Sequence, residues 1–126
     1  MSSNIDEQHK WTKILMKLDE MSRNSSLIWL RAADRRFFTE IKGTFVELDV
    51  GTVRAGELLF VIRIKDGNDN LIDSFTDEDF DGHLFESKNN RRPYVVMDQL
   101  MEFLIRKDSG ADEVLDKLLN DLDELS

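Results

Sequence analysis

The chain has 126 residues, 40% hydrophobic and 34% charged, and its seventeen Lys and Arg against twenty-six Asp and Glu give a formal charge of −9. This length suits a single domain over 1–126 with frayed ends at 1–5 and 123–126, and the acidic surface argues against nucleic acid and against anionic lipid as partners. Cysteine is absent, the N-terminus lacks a basic start followed by an apolar stretch, and no run nears the roughly 18 apolar residues that cross a bilayer, so a cytoplasmic protein is expected with no membrane contact.

In chain order, the first pattern is helical. Trp11, Ile14, Leu15, Leu18 and Met21 recur on one side of a segment from about 5 to 21, with Lys13, Lys17, Asp19 and Glu20 opposite. A polar turn at 22–26 leads into five short apolar runs, at about 27–32, 36–42, 44–50, 57–65 and 70–75. Asp34, Gly43, a loop at 51–56 and the polar turn at 66–70 separate them, and connections this short predict antiparallel neighbours. A polar stretch covers 76–92. Pro93, the only proline, suits the first turn of a helix carrying Val96, Met97, Leu100, Met101 and Leu104 on one side and ending near Lys107. Ser109 to Asp112 reads as a capping box that opens a last helix with Val114, Leu115, Leu118, Leu119, Leu122 and Leu125 turned inward. The fold class is therefore α+β: an antiparallel meander sheet of four to five strands with one N-terminal and two C-terminal helices.

Most of the strands carry large apolar residues on both alternating faces. If Ile28, Leu30, Phe37, Ile41, Val46, Leu48, Val50, Leu58, Phe60, Ile62 and Ile64 form the core face, then Leu27, Trp29, Phe38, Phe45, Leu59 and Val61 fall on the other. That second face also carries Arg31, Glu40, Lys42, Glu47, Asp49, Arg63 and Lys65. An aromatic centre with a charged fringe is the composition of an interface. Trp29, Phe38, Phe45, Leu59 and Val61 are accordingly the candidate partner-binding residues, with Trp29, Phe38 and Phe45 as anchors. The alternative is that the first helix covers one face and the C-terminal pair covers the other.

Asp77, Asp79, Asp81 and Gly82 match the opening of a calcium loop, Asp-x-Asp-x-Asp-Gly, in which alternate carboxylates face a hard cation. The twelfth position is Lys88 where that loop needs a bidentate Glu, and a strand rather than a helix leads into it. Asp77, Asp79 and Asp81 stand as a metal candidate, set against a capped helical turn at 76–79. His9 and His83 are the only histidines, without a partner at triad or ligand spacing, and the six glycines are scattered at turns. No catalytic residue and no cofactor are assigned, and the protein is not expected to be an enzyme. The basic pairs Arg35-Arg36, Arg91-Arg92 and Arg106-Lys107 read as solvated faces.

Two resemblances bear on function. The stretch from Asp66 to Phe80, followed by Asp112 to Leu119, resembles small bacterial domains of uncharacterised function that join a strand meander to a terminal helix. In size, acidity and helix-sheet-helix order the chain also resembles type III secretion chaperones, which implies a dimer that wraps an effector segment. Those chaperones place a helix among their strands, whereas here the strands are consecutive. The residues themselves lead to a non-enzymatic, acidic protein-binding module, a bacterial accessory or immunity-type protein acting through its partly apolar sheet face. The partner would be another protein or a second copy of the chain. A secretion-chaperone-like dimer is the alternative, and a calcium-responsive binding module the next.

Overall fold

The computed structural model describes residues 5–54 and 57–126. Helix α1 (Ile5–Arg23) precedes five strands, β1 (Leu30–Ala33), β2 (Arg36–Ile41), β3 (Thr44–Arg54), β4 (Glu57–Lys65) and β5 (Leu71–Thr76). A 3-10 turn (Asp77–Asp79) and helices α2 (Gly82–Asn89), α3 (Pro93–Ser109) and α4 (Ala111–Leu125) follow. The strands pair in sequence order and all antiparallel, as the short connections require. The fold is thus the α+β meander expected, with one additional helix. Met1 to Asn4, where fraying was expected, and Ala55 and Gly56 of the anticipated 51–56 loop lie outside the described residues. Among the described residues, no helix is long and apolar enough to cross a membrane.

The core forms on one side of the sheet. Phe37, Val46, Leu48, Phe60, Ile62 and Phe75 are buried there against Trp11, Leu15 and Leu18 of α1 and against Val96, Met97, Leu100, Met101 and Leu104 of α3. Cross-strand register brings Phe37 opposite Leu48, Leu48 opposite Ile62 and Ile62 opposite Phe75, so one row of large side chains runs across four strands. Trp11 stacks on Phe75 with ring centroids 5.3 Å apart, and Phe80 meets Phe75, Trp11 and Phe85 edge to face. This aromatic cluster ties α1, β5 and α2 together. The Trp11 indole N–H donates to Asp73 at 3.0 Å, which gives the buried ring a polar partner.

The structure departs from the sequence expectations at definite places. β1 begins only at Leu30, so Leu27 to Trp29 form the approach to the strand. Leu30 lies opposite Phe38 on the face away from the core, and Ile28 is 80% exposed; neither is a core residue. Leu27 and Trp29 instead pack against the core, and Arg31, opposite Phe37, lays its guanidinium 5.5 Å from that ring. A register slip of one residue in a short edge strand is enough to invert these assignments. β3 runs on to Arg54, through the expected loop. The polar stretch holds α2, whose N-cap Asp81 accepts the N–H groups of His83 and Leu84, and which buries only Phe85. The capping box at Ser109 does not form: the Ser109 hydroxyl donates back to the Arg106 carbonyl, and Gly110, in the left-handed region at φ 67°, closes α3 and opens α4.

Candidate protein interaction surface

The sheet face turned away from the core carries Phe38, Phe45, Leu59 and Val61, as read from the sequence, all partly exposed and none of them packed against the core cluster. Both α1 and α3 press their stripes on the opposite face, so the alternative of helical cover on both sides does not hold for these two helices. The outer face is laced by charge. Arg63 donates to Glu47 at 2.7 Å and to Asp49 at 3.1 Å, Arg36 reaches Asp49 at 3.3 Å, and Lys65 bridges Glu47 and Asp69 at 3.8 and 3.4 Å. Partial burial acts to lower the Arg63 pKa, but the bonds to Asp49 and Glu47 outweigh it and hold the guanidinium above its ordinary value. Phe38 and Phe45 sit 6.5 Å apart beside this lattice and line a hollow of about 360 Å³ with Ala32, Lys65 and Gly67. The structure therefore unites Phe38 and Phe45 but not Trp29.

Trp29 belongs to a second concavity on the core side. Its indole N–H donates to Ser22 at 2.8 Å, and the ring lines a groove of about 480 Å³ with Leu27, Ile28, Phe37, Leu104 and Lys107. This corrects the sequence placement of Trp29 beside Phe38 and Phe45, for the reason of register given above.

The aspartate-rich loop is built around backbone amides. Asp77 accepts the Phe60 N–H at 2.7 Å, Asp79 accepts the Thr76 N–H at 2.8 Å as half of a capping box, and Asp81 caps α2. Each carboxylate thereby faces a different strand or helix end. Among the described residues, no group of three or more His, Asp or Glu is placed to hold a metal ion, so the candidate ligands Asp77, Asp79 and Asp81 do not converge. The capped turn at 76–79 is the arrangement found. Burial raises the pKa of Asp77, with help from Glu78 and Asp79 and against the lowering effect of the Phe60 N–H. His83 is exposed, its Nδ1 3.4 Å from the Arg92 guanidinium.

The most exposed apolar surface is on α4. Val114, Leu115, Leu118, Leu119, Leu122 and Leu125 are all between 48% and 84% exposed, and no residue of the helix is buried. The inward orientation expected for them is overturned. α4 meets the rest of the chain chiefly at the end of α3, where Arg106 pairs with Asp112 at 2.8 Å across Gly110. The inner sheet face is already occupied by α1 and α3, and on the outer face Phe38, Phe45, Leu59 and Val61 are set among ion pairs. No family model, curated protein or solved structure matches the chain. Its functional reading therefore rests on this geometry. No signal within α4 itself sets its stripe apart from that of α3, whose apolar residues have the same spacing.

Proposed function

We propose that the chain is a non-catalytic protein-binding module whose docking element is α4. The observation that carries this is the stripe of six large aliphatic side chains, continuous along the helix, each at least 48% exposed and none packed against the core cluster. Soluble proteins seldom leave a contiguous apolar surface of this kind to water, and a helix laid by one face into a groove is a common mode of protein recognition. Burying a Leu or Val side chain fully is worth about 1.5–3 kcal/mol, so even partial cover of six offsets much of the cost of association. An acidic accessory or immunity-type protein of a reducing cytoplasm fits this reading.

The test is co-purification from its own cells of wild type and of Leu118→Ala/Leu122→Ala, with far-UV circular dichroism to verify the fold. A protein recovered stoichiometrically with wild type and lost with the variant is the expected result. Identical recovery with both removes α4 as the docking element.

The Phe38–Phe45 hollow favours a second reading, in which the outer sheet face is covered by a copy of the chain, as in a secretion-chaperone-like dimer. Leu59 and Val61 would extend that contact along β4. Light scattering during size exclusion on wild type and Phe38→Ala/Phe45→Ala separates the two: a dimer lost with the phenylalanines supports the sheet-face contact, and a monomer at micromolar concentration removes it.

A further inference from the structure

The borders of the α4 stripe differ from its centre in one consistent way. Between 111 and 126 there are six acidic residues, Asp112, Glu113, Asp116, Asp121, Asp123 and Glu124, and a single basic one, Lys117. At about 3.6 residues per turn the apolar residues span roughly 140° of arc, from Val114 round to Leu119. Asp112, Asp123 and Asp116 follow directly beyond Leu119 on one border, and Asp121 stands next to Val114 on the other. Lys117 is held by Asp121 at 2.8 Å, and Asp112 by Arg106. Glu113, Asp116, Asp123 and Glu124 have no ion-pair partner among the described residues.

We infer that α4 docks onto a protein surface that is apolar at its centre and lined by Lys or Arg at its edges, rather than onto a second α4. The inference rests on the protein-binding reading above and adds the chemistry of the partner. Two α4 helices paired antiparallel would set the Asp112, Asp116 and Asp123 border against itself. Paired in parallel, they would set that border against one holding Asp121, Lys117 and Glu124, which stays net acidic because Lys117 is already paired with Asp121. Either way like charges gather beside a desolvating apolar seam, where screening by water is reduced. A basic border on the partner converts the same charges into attraction and speeds encounter.

The experiment uses the full chain and two synthetic helical peptides that share a leucine stripe, one with lysines at the bordering positions and one with glutamates there. Binding is measured by isothermal titration calorimetry at low and at moderate salt. The lysine peptide should bind wild type at least tenfold more tightly, the gap should narrow as salt rises, and Asp116→Lys/Asp123→Lys should reduce or reverse it. Leu118→Ala/Leu122→Ala should weaken the lysine peptide by a similar factor, and circular dichroism should show both variants folded. Equal binding of the two peptides overturns the charge inference while leaving α4 as a docking element. Undiminished lysine-peptide binding to the leucine variant overturns it as well, because acidity alone would then suffice. A wild-type dimer that the leucine variant dissolves, with neither peptide bound, assigns the stripe to a second copy. Capture by phosphatidylcholine vesicles in place of peptides assigns it to a lipid surface. If peptides, copies and vesicles all fail, the inference and the protein-binding reading fail together.

Discussion

α3 and α4 follow one another across a single glycine and carry the same apolar spacing. Val96, Met97, Leu100, Met101 and Leu104 stand at positions i, i+1, i+4, i+5 and i+8, and Val114, Leu115, Leu118, Leu119 and Leu122 repeat that series eighteen residues later. The first set is at most 3% exposed; the second is never below 48%. Periodicity thus specifies that a stripe exists and which residues share it, while the occupant of the stripe is decided by what surface remains elsewhere. α3 claims the inner sheet face together with α1. What remains for α4 is the outer sheet face, where Phe38, Phe45, Leu59 and Val61 stand among ion pairs, and α4 does not cover it.

The largest way to sharpen this contrast is to truncate corresponding leucines. Leu100→Ala removes a fully buried side chain and should cost about 2–5 kcal/mol in urea unfolding. A cost under about 1 kcal/mol would mean that α3 is not seated as described.

A smaller effect is expected at the 3-10 turn against which α3 packs. Asp77→Ala leaves the Phe60 N–H without its acceptor and should cost roughly 1–3 kcal/mol. The pH dependence has a definite sign. Because the folded pKa of Asp77 is raised, its contribution is fully present below the unfolded pKa and is lost as pH rises through the folded pKa. Asp77→Asn keeps an oxygen for Phe60 and drops the charge, so it should gain on wild type as pH climbs through the acid range. Unfolding curves from pH 3 to pH 7 check this, and a variant that loses ground over that range contradicts it.

The joint between the helices comes next. Gly110 holds φ 67°, so Gly110→Ala places a Cβ in the left-handed region at a cost of about 1–2 kcal/mol. The loss appears as a lower unfolding midpoint if the joint is cooperative with α3. If α4 is free to unwind instead, the variant shows lower helicity with an unchanged midpoint.

Legibility from sequence divides along the same line. The apolar stripe of α1, the α3 stripe, the strand meander and the outer-face placement of Phe38, Phe45, Leu59 and Val61 are readable, because each follows from period and from short connections, whereas Asp19, expected on the polar side of α1, is 5% exposed and paired with Arg23 and Arg91. Trp29 was misplaced because β1 is a four-residue edge strand that starts three residues later than its apolar run. α2 is not legible because its only buried residue is Phe85, too little for a periodic signal, although its cap at Asp81 belongs to the aspartate-rich motif. The capped turn at 76–79 was among the readings of the aspartate-rich loop, since Thr followed three residues later by a carboxylate has a local mechanism. The exposure of α4 was not readable from its own residues at all. It is a property of the sheet's remaining surface, and only the assembled fold shows that surface.

The smallest expected effect is therefore the most telling. Leu118→Ala removes as many atoms as Leu100→Ala, yet Leu118 is 49% exposed and touches no core. Surface substitutions of this kind stay within about 0.5 kcal/mol, and alanine's helix propensity offsets part of what is lost. Urea unfolding should be run at several protein concentrations. A negligible cost at every concentration leaves α4 unpartnered in the isolated protein and reserves its stripe for a different chain. A cost that grows with concentration would mean that copies cover the stripe, since stabilisation by association follows mass action. A large cost independent of concentration would mean that α4 folds back on its own domain, and the contrast with α3 would then disappear.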